Sequence, residues 1–522
     1  MAQWLDAGLV SDLAERGRRV FKAGAKQILL IAAGDRLFAC NNRCPHEGYP
    51  LSEGTLGSSC TLTCNWHNWK FDLSSGETLV GGDRLRLYPV EKREGRIWVD
   101  VADPPTERRQ ARALANLEEA CTDNDYERMA REVARYIRAS GDPLEPLRHM
   151  IRAGAPRFEF GMTHAYAAAP DWLVLRAIAT SEEERLTALV EPIAHIAWDT
   201  LREPDYPYTQ EIASWDADAF VACIEAEDEG GAIARLHGGL SNHVPPNDLK
   251  PAFAAAALGH YQDFGHSAIY VRKAFELIDA LGSTVSSPVL KALTRSIVYA
   301  TREDRIPEFR CYAKALSKWS GRGSETFSAG ELVGMSVNAT VDRVLNLAGD
   351  NEAKYRLLLE ASALAMLRFD MSVDRHIDKP VSHNVRWLDF THSLTFANAV
   401  RSHCTDTPGL WPAALLQLAC FLGRNAPFLL PEVDNAWFVD DEAAFLARER
   451  KALFDHGIGE PIFACHRVKV LAAVAEESSW AGIGSLSRNV IAATNRYLNT
   501  PVKLHHGLRS AHQALSFVDA EG

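Results

Sequence analysis

The stretch CPHEGYPLSEGTLGSSCTLTCNWH, residues 44–67, places three cysteines and two histidines near the start of a 522-residue chain. Cys44 and His46 form a C-x-H pair, and Cys64 and His67 form a C-x2-H pair after seventeen intervening residues. Thiolate sulfur and imidazole nitrogen are ligands for iron and zinc in proteins. The spacing therefore predicts two loops that face one another, each offering one sulfur and one nitrogen to a metal centre.

Short apolar runs broken by turn residues surround this stretch. They are KQILLIAAGDRLFACNN at 26–42, TLTC at 61–64, WKFDLSSGET at 69–78 and RLRLYPVEKREGRIWVDV at 84–101. Alternation of apolar and polar residues, with breaks at Gly, Asp and Ser, is typical of short antiparallel strands. We therefore expect a small all-β domain around the cysteine and histidine pairs.

The texture of the sequence changes after Pro104 and Pro105, which lack the backbone N–H that a strand or a helix needs. Apolar residues then recur every three or four positions, as in YERMAREVARYIRAS at 126–140 and EAKYRLLLEASALAMLRF at 352–369. The fold class that follows is multidomain. A small antiparallel β domain at 1–103 precedes a large, mostly α-helical domain at 104–522.

Charge and composition exclude several classes of partner. The net charge is -12 and the sequence pI is about 5.9, so a nucleic acid or an anionic membrane surface is not expected to bind. No apolar run reaches the eighteen residues of a membrane span. Ten cysteines are too sparse for a secreted disulfide framework, and a reducing cytoplasm is the expected compartment.

The opening stretch resembles the Rieske iron–sulfur domain of oxygenase and ferredoxin type, over roughly residues 20–101. The resemblance implies a [2Fe-2S] cluster held by Cys44 and Cys64 on one iron and by His46 and His67 on the other. A structural zinc site is the alternative, although such sites usually open with C-x2–4-C. Respiratory Rieske domains carry an extra cysteine in each loop, and those positions are Tyr49 and Trp66 here.

Two helical segments share the pattern D-F-x-H-S, at 263–267 and at 389–393. Residues three apart lie on one face of a helix, so Asp263 with His266, and Asp389 with His392, could hold a catalytic metal, with His260 as a further ligand. Capping of a helix N-terminus by the aspartates remains the alternative. Glu191, His195 and Asp199 also share a helix face, which we interpret as an ordinary polar surface.

The helical region lacks the D-x2-H-x3–4-H signature of ring-hydroxylating oxygenases. Its histidine-bearing helices resemble the questin-oxidase-like enzymes, which use dioxygen and reducing equivalents on aromatic polyketides. That resemblance implies an oxidoreductase, a monooxygenase or dioxygenase, in which the cluster feeds electrons to non-haem iron acting on a small organic substrate, such as an aromatic compound. The sequence also allows an electron-transfer or redox-sensing protein, or a redox-regulated metal-dependent hydrolase.

No G-x-G-x-x-G dinucleotide fingerprint follows a strand. A separate NAD(P)H-dependent reductase or a ferredoxin is therefore the expected electron donor, with O2 as co-substrate. A homo-oligomer is compatible with the sequence.

Overall fold

The computed structural model describes residues 2–57, 59–481 and 487–521. The chain divides into two compact units, of which the first ends at Pro143 and the second begins at Leu144. Antiparallel sheets occupy the first unit and helices dominate the second, so the predicted fold class is confirmed.

Ten strands and three helices are described in the first unit. The strands are β1 Trp4–Leu9, β2 Arg18–Ala23, β3 Lys26–Ala33, β4 Arg36–Asn41, β5 Thr55–Leu56, β6 Thr61–Thr63, β7 Lys70–Asp72, β8 Thr78–Val80, β9 Val90–Arg93 and β10 Arg96–Asp100. The helices are α1 Val10–Arg16, α2 Thr106–Thr122 and α3 Tyr126–Arg138. The strands form three antiparallel sheets, ordered β1-β10-β9, β2-β3-β4 and β5-β6-β7-β8.

Strand β3 explains why the first unit has two apolar cores. Successive side chains of a strand point to opposite faces. Leu29 and Ile31 pack into the core that also contains Cys44 and Cys64, whereas Ile28 and Leu30 pack into the second core with residues of β10. All four side chains are buried, which is why this strand is continuously apolar.

The alternating segment RLRLYPV, at 84–90, lies mostly outside the regular strands, since β9 begins only at Val90. The segment is held by separate backbone bonds, from Asn41 N to Arg86 O at 2.8 Å and from Tyr88 N to Ala39 O at 2.8 Å. Pro89 has no N–H with which to continue a ladder. In this segment, the alternation of apolar and polar residues reflects burial of one side of the chain and not regular pairing between strands.

The compact first unit continues beyond its last strand, and α3 is ion-paired to Asp83 in the segment between β8 and β9. Asp83 is 1% exposed and Arg128 is 3% exposed, and Arg128 Nε donates to Asp83 Oδ1 at 2.8 Å. Arg131 Nε donates to the other oxygen of Asp83 at 3.3 Å. The last strand ends at Asp100, close to the predicted boundary at residue 103. The compact unit extends further, through α2 and α3 to Pro143.

We expect Asp83→Ala to lower the free energy of unfolding of this unit by about 3 kcal/mol, because removing one partner leaves a buried charge uncompensated. Arg128 keeps Glu119 as a partner at 2.7 Å, which places the effect at the lower end of the usual range. The matched control is Glu77→Ala, which removes an exposed ion pair with Arg84 and should cost about 1 kcal/mol or less. Urea unfolding, followed by circular dichroism and by the visible absorption of the N-terminal metal centre, measures both. Equal effects of the two substitutions would contradict the prediction.

The second unit contains eighteen helices among the described residues. They are α4 Glu145–Gly154, α5 His164–Ile178, α6 Glu182–Asp199, α7 Ala217–Glu225, α8 Glu229–Ser241, α9 Pro246–Gly259, α10 His266–Leu281, α11 Ser286–Val298, α12 Tyr312–Ser317, α13 Ala329–Leu332, α14 Val337–Asn346, α15 Asn351–Leu367, α16 Trp387–Asp406, α17 Trp411–Arg424, α18 Glu442–Ala452, α19 Pro461–Ala481, α20 Arg488–Asn499 and α21 Gly507–Glu521.

Four of these helices form a closed ring of neighbours, in which α5 packs on α10, α10 on α16, α16 on α19 and α19 on α5. Polar sites in helix bundles are built from side chains that the surrounding helices direct inward. The ring is therefore the place where residues far apart in the sequence can meet. Among the described residues, no helix is both long and apolar enough to span a membrane.

Candidate functional site: two histidine-containing centres

The two loops predicted from the C-x-H and C-x2-H pairs adopt the same backbone pattern. Cys44 N donates to Tyr49 O at 2.9 Å, and Cys64 N donates to Trp69 O at 2.8 Å. In each loop the fourth residue after the cysteine has a positive φ, 77° at Gly48 and 60° at Asn68, and its N–H donates back to the cysteine carbonyl. The loops are therefore equivalent frames that direct one cysteine and one histidine each.

The four side chains separate into a sulfur pair and a nitrogen pair. Both cysteines are buried, whereas His46 Nδ1 and His67 Nδ1 lie 3.0 Å apart on the partly exposed side. Burial raises the pKa of the Cys44 thiol to about 11, so an uncompensated thiolate is disfavoured there and a bound cation is needed to stabilise it. Two sulfurs on one side and two nitrogens on the other match the ligand set of a [2Fe-2S] cluster with inequivalent irons.

Aromatic rings enclose the two imidazoles. His46 stacks on Trp69 with ring centroids 4.6 Å apart, and His67 stacks on Trp66 at 4.9 Å. Tyr49 and Trp66 occupy the positions where respiratory domains carry bridging cysteines, and their rings lie 5.7 Å apart. An aromatic contact therefore joins the two loops at the place where respiratory domains have a disulfide bond.

A second cluster lies inside the helical unit. His164, His266, His392 and His466 come from α5, α10, α16 and α19, and their nearest ring nitrogens all lie within 4.8 Å of one another. The Nε2 atoms of His164 and His266 are 3.1 Å apart, and those of His392 and His466 are 3.2 Å apart. Each helix of the ring therefore contributes one imidazole to a common centre.

Backbone carbonyls orient three of these imidazoles in the same way. The Nδ1 atom of each ring bonds to the carbonyl four residues earlier, which is Gln262 for His266, Leu388 for His392 and Ile462 for His466. A carbonyl only accepts, so Nδ1 carries the proton and the Nε2 lone pair faces the centre. His164 Nδ1 bonds to Tyr270 Oη at 3.1 Å, which leaves its Nε2 in the equivalent position.

The geometry of the cluster suits a metal ion. Unprotonated nitrogens that face each other at 3.1–3.2 Å repel unless a cation lies between them. With metal–nitrogen bonds of about 2.1 Å, two ligands are about 3.0 Å apart at a right angle and about 3.4 Å apart at the tetrahedral angle. Histidine ligands of metals characteristically donate their other N–H to a carbonyl, as three of these do.

The electrostatics of the cluster also favour neutral imidazoles, which metal ligation requires. Burial is the largest cause lowering the pKa of all four histidines, and it brings the pKa of His266 to about 4. Lys469, one turn after His466 on α19, lowers them further through its positive charge. Its Nζ is buried and has no hydrogen-bond partner among the described residues.

The structure brings two of the sequence-predicted ligands, His266 and His392, into this cluster, and it places the other three elsewhere. Asp389 caps its helix instead, because its carboxylate accepts the N–H of Arg386 at 3.0 Å and pairs with Arg424. His260 lies at the end of α9, with its Nε2 3.6 Å from a Glu225 oxygen.

Asp263 belongs to a left-handed turn that ends at the first residue of α10. The φ angles of residues 262–265 are 50°, 35°, 39° and 80°, and only the last residue, Gly265, adopts such a value readily. A Cβ on Gly265 would lie 2.2 Å from the Phe396 ring. Left-handed non-glycine residues cost free energy and concentrate at functional sites, and this turn sets the position of His266.

We expect Asp263→Gly to keep the metal of the helical unit and to change the free energy of unfolding by about 1 kcal/mol or less. The reason is that residue 263 contributes a left-handed backbone conformation to the turn, and glycine adopts that conformation readily. Gly265→Ala should lower the metal content of the helical unit and the free energy of unfolding, because the added methyl group meets the Phe396 ring and displaces the start of α10. Metal analysis and thermal unfolding of the two variants measure this contrast. Loss of metal in Asp263→Gly would instead make the carboxylate a ligand.

Sequence reasoning missed His164 and His466. Neither segment, MTHAYAAAP or FACHRVKVL, shares the D-F-x-H-S pattern. One sequence feature could have indicated them. Each is a single histidine in a helix whose residues are apolar on nearly all sides, α5 for His164 and α19 for His466. A buried imidazole in such a helix needs a partner, because an unpaired buried polar group is costly.

Comparisons with known proteins concern the N-terminal unit. Residues 3–83 match the Rieske [2Fe-2S] domain. The ferredoxin subunit of 3-phenylpropionate/cinnamic acid dioxygenase from Photorhabdus laumondii is 31% identical over 96 residues, which are 18% of this chain and 90% of that protein. The 4beta-methylsterol monooxygenase of Methylococcus capsulatus is 39% identical over 98 residues, 17% of this chain and 26% of the monooxygenase.

A solved structure, the complex of reduced oxygenase and oxidized ferredoxin in carbazole 1,9a-dioxygenase, is 27% identical to this chain. The match covers 19% of this chain and 95% of that chain, with a TM-score of 0.18. The chain spans about a quarter of the length of the methylsterol monooxygenase that it matches.

The paired loops, the two-plus-two ligand arrangement and these relatives identify the N-terminal domain. The chain belongs to the Rieske [2Fe-2S] family, and its N-terminal domain carries a [2Fe-2S] cluster. This confirms the interpretation of the opening stretch. The relatives are a monooxygenase and the ferredoxin subunit of a dioxygenase.

Proposed function

We propose that the protein is an O2-dependent oxidoreductase, a monooxygenase or dioxygenase, in which the Rieske cluster supplies electrons to non-haem iron in the helical unit. The observation that carries this proposal is the convergence of four Nε2 atoms from four helices. His164, His266, His392 and His466 would hold the metal. Bound iron would supply one-electron chemistry and activation of dioxygen.

A redox-active metal such as iron agrees with the electron supply. Four neutral imidazoles suit zinc, copper, nickel or iron, so the ligands alone do not select one. Zinc undergoes no redox change and would have no use for a single-electron carrier. Four nitrogen ligands also leave two positions on a six-coordinate ion, which is the condition for O2 or a substrate atom to reach it.

A cleft next to the cluster provides a place for the substrate. It has a volume of about 390 Å3, is lined by His164, Gln262 and Tyr270, and has Phe158 and Phe160 among its apolar residues. This volume lies within the usual range for small-molecule sites. We therefore propose a small organic substrate and, because the sequence lacks a dinucleotide-binding fingerprint, a separate reductase or ferredoxin as electron donor.

A second candidate is an electron-transfer protein whose helical unit binds a partner without redox chemistry of its own. The similarity to a dioxygenase ferredoxin subunit over 90% of that subunit favours it. The two candidates differ in whether oxygen reacts at the helical unit.

Reoxidation of the reduced cluster by O2 distinguishes the two candidates. The full chain is reduced without oxygen, mixed with oxygenated buffer and followed by the visible absorption of the cluster. We expect a fast phase in the native protein that His392→Ala abolishes, since electrons then have no iron to enter. The matched control is His403→Gln, a buried histidine on the same helix, which should keep the fast phase. Equal kinetics in all three proteins would favour the electron-transfer candidate.

A further inference from the structure

The cleft beside His164 contains a second histidine that is not a member of the cluster. His195 and Asp199 line it together with His164 and Tyr270. His195 is 3% exposed, and its Nε2 lies 3.6 Å from Asp199 Oδ2. The two residues are one turn apart on α6, so the helix presents them on one face.

The position of Asp199 is fixed relative to the four-histidine cluster. Thr163 Oγ1 donates to Asp199 Oδ2 at 2.6 Å, and Thr163 is the N-cap residue of α5, immediately before His164. A carboxylate held by a hydroxyl group and facing an imidazole can orient that imidazole and stabilise its protonated form. From the sequence, this face of α6 was interpreted as an ordinary polar surface. The structure instead shows a buried histidine paired with a carboxylate.

Several charged groups act on His195. Burial lowers the pKa of His195 below its usual value, Lys469 on α19 lowers it further, and the negative charges of Asp199 and Glu191 oppose this. His195 is therefore a neutral imidazole near pH 7, able to accept a proton. The other ionisable groups that line the cleft or face this histidine are Arg157, Glu159, His164, Glu203, Tyr270 and His466.

We propose that His195, supported by Asp199, is the proton acceptor of the cleft, and that the cleft takes a neutral ligand with a weakly acidic O–H group. The O–H bond breaks heterolytically, its electron pair remains on the ligand oxygen, and the proton moves to the imidazole. The imidazolium is held by the carboxylate of Asp199. The proposal rests on the proposed function only in taking the cleft as the substrate site.

The probe is 4-nitrophenol, whose anion is yellow, added to the full chain about one unit below the pKa of the free phenol. We expect the ionised fraction of the bound probe to exceed that of the free probe in the native protein. In His195→Gln the ionised fraction of the bound probe should fall by about tenfold or more. Asp199→Asn should lower it as well, which tests the pair even if one variant folds poorly.

Two controls separate this result from other causes. His403→Gln alters another buried histidine, on α16 and outside the cleft, and should leave the ionised fraction unchanged. Native protein treated with a chelator has no bound metal, so unchanged ionisation there shows that no metal takes the proton's place. Ionisation that survives His195→Gln, that is lost after chelator treatment, or an absence of probe binding would each overturn the proposal. If ionisation depends on His195 but metal is absent from the native helical unit, the oxygenase proposal fails and the proton acceptor stands.

Discussion

Cys44→Ala is expected to lose the Rieske-type visible and electron paramagnetic resonance spectra completely. The cluster needs both thiolates on one iron, and alanine offers no ligand in a buried position that is otherwise unfavourable for a charged group. Mixed sulfur and nitrogen ligation makes the two irons inequivalent, and this inequivalence produces the spectrum.

The matched control for that variant is Cys40→Ala. Cys40 is also a buried cysteine, on β4, and lies outside the two ligand loops. It should keep the full spectrum, with a loss of stability from packing only. A native protein that is colourless and binds one zinc would contradict the account of the first unit, as would a Cys44→Ala protein with an unchanged spectrum.

The double variant His266→Ala/His392→Ala is expected to bind metal in the helical unit about 100-fold more weakly or worse. Loss of the groups that only orient metal ligands already costs about 10- to 100-fold in affinity, and this variant removes two ligands. The remaining His164 and His466 cannot hold a transition metal alone against competing water. Metal analysis after dialysis, with titration of the metal-free protein, measures the change.

The control for the double variant is His403→Gln, whose histidine lies on α16 with Nε2 bonded to the Ala268 carbonyl at 2.8 Å. It should keep full metal content, because it lies outside the four-histidine cluster. The cluster spectrum of the first unit should be intact in both proteins. Equal metal contents in the two would mean that His266 and His392 are core histidines.

The N-terminal centre was predictable because its geometry is local. Each ligand pair lies within four residues on one loop, and the loop backbone is closed by hydrogen bonds between a cysteine and residues four and five positions later. The spacing of Cys44, His46, Cys64 and His67 therefore contains most of the information about the site. The extent of the first unit was less predictable, since α3 joins it through the buried Asp83–Arg128 ion pair rather than through any local signal.

The helical centre was only half predictable because tertiary packing assembles it. The repeated D-F-x-H-S pattern indicated His266 and His392. The aspartates of the pattern have other roles, because Asp389 caps its helix and Asp263 belongs to a left-handed turn. His164 and His466 share no local pattern, and only the closed ring of four helices brings them in. The resemblance of this unit to questin-oxidase-like enzymes stays a prediction.

The most direct test of the central claim is the iron and acid-labile sulfide content of the full chain, with and without Cys44 and Cys64. We expect about three irons and two sulfides per chain in the native protein, and about one iron and no sulfide in Cys44→Ala/Cys64→Ala. That result would show a second centre filled independently of the cluster. Two irons in the native protein and none in the double variant, with the helices folded, would leave the four histidines without metal and would contradict the account.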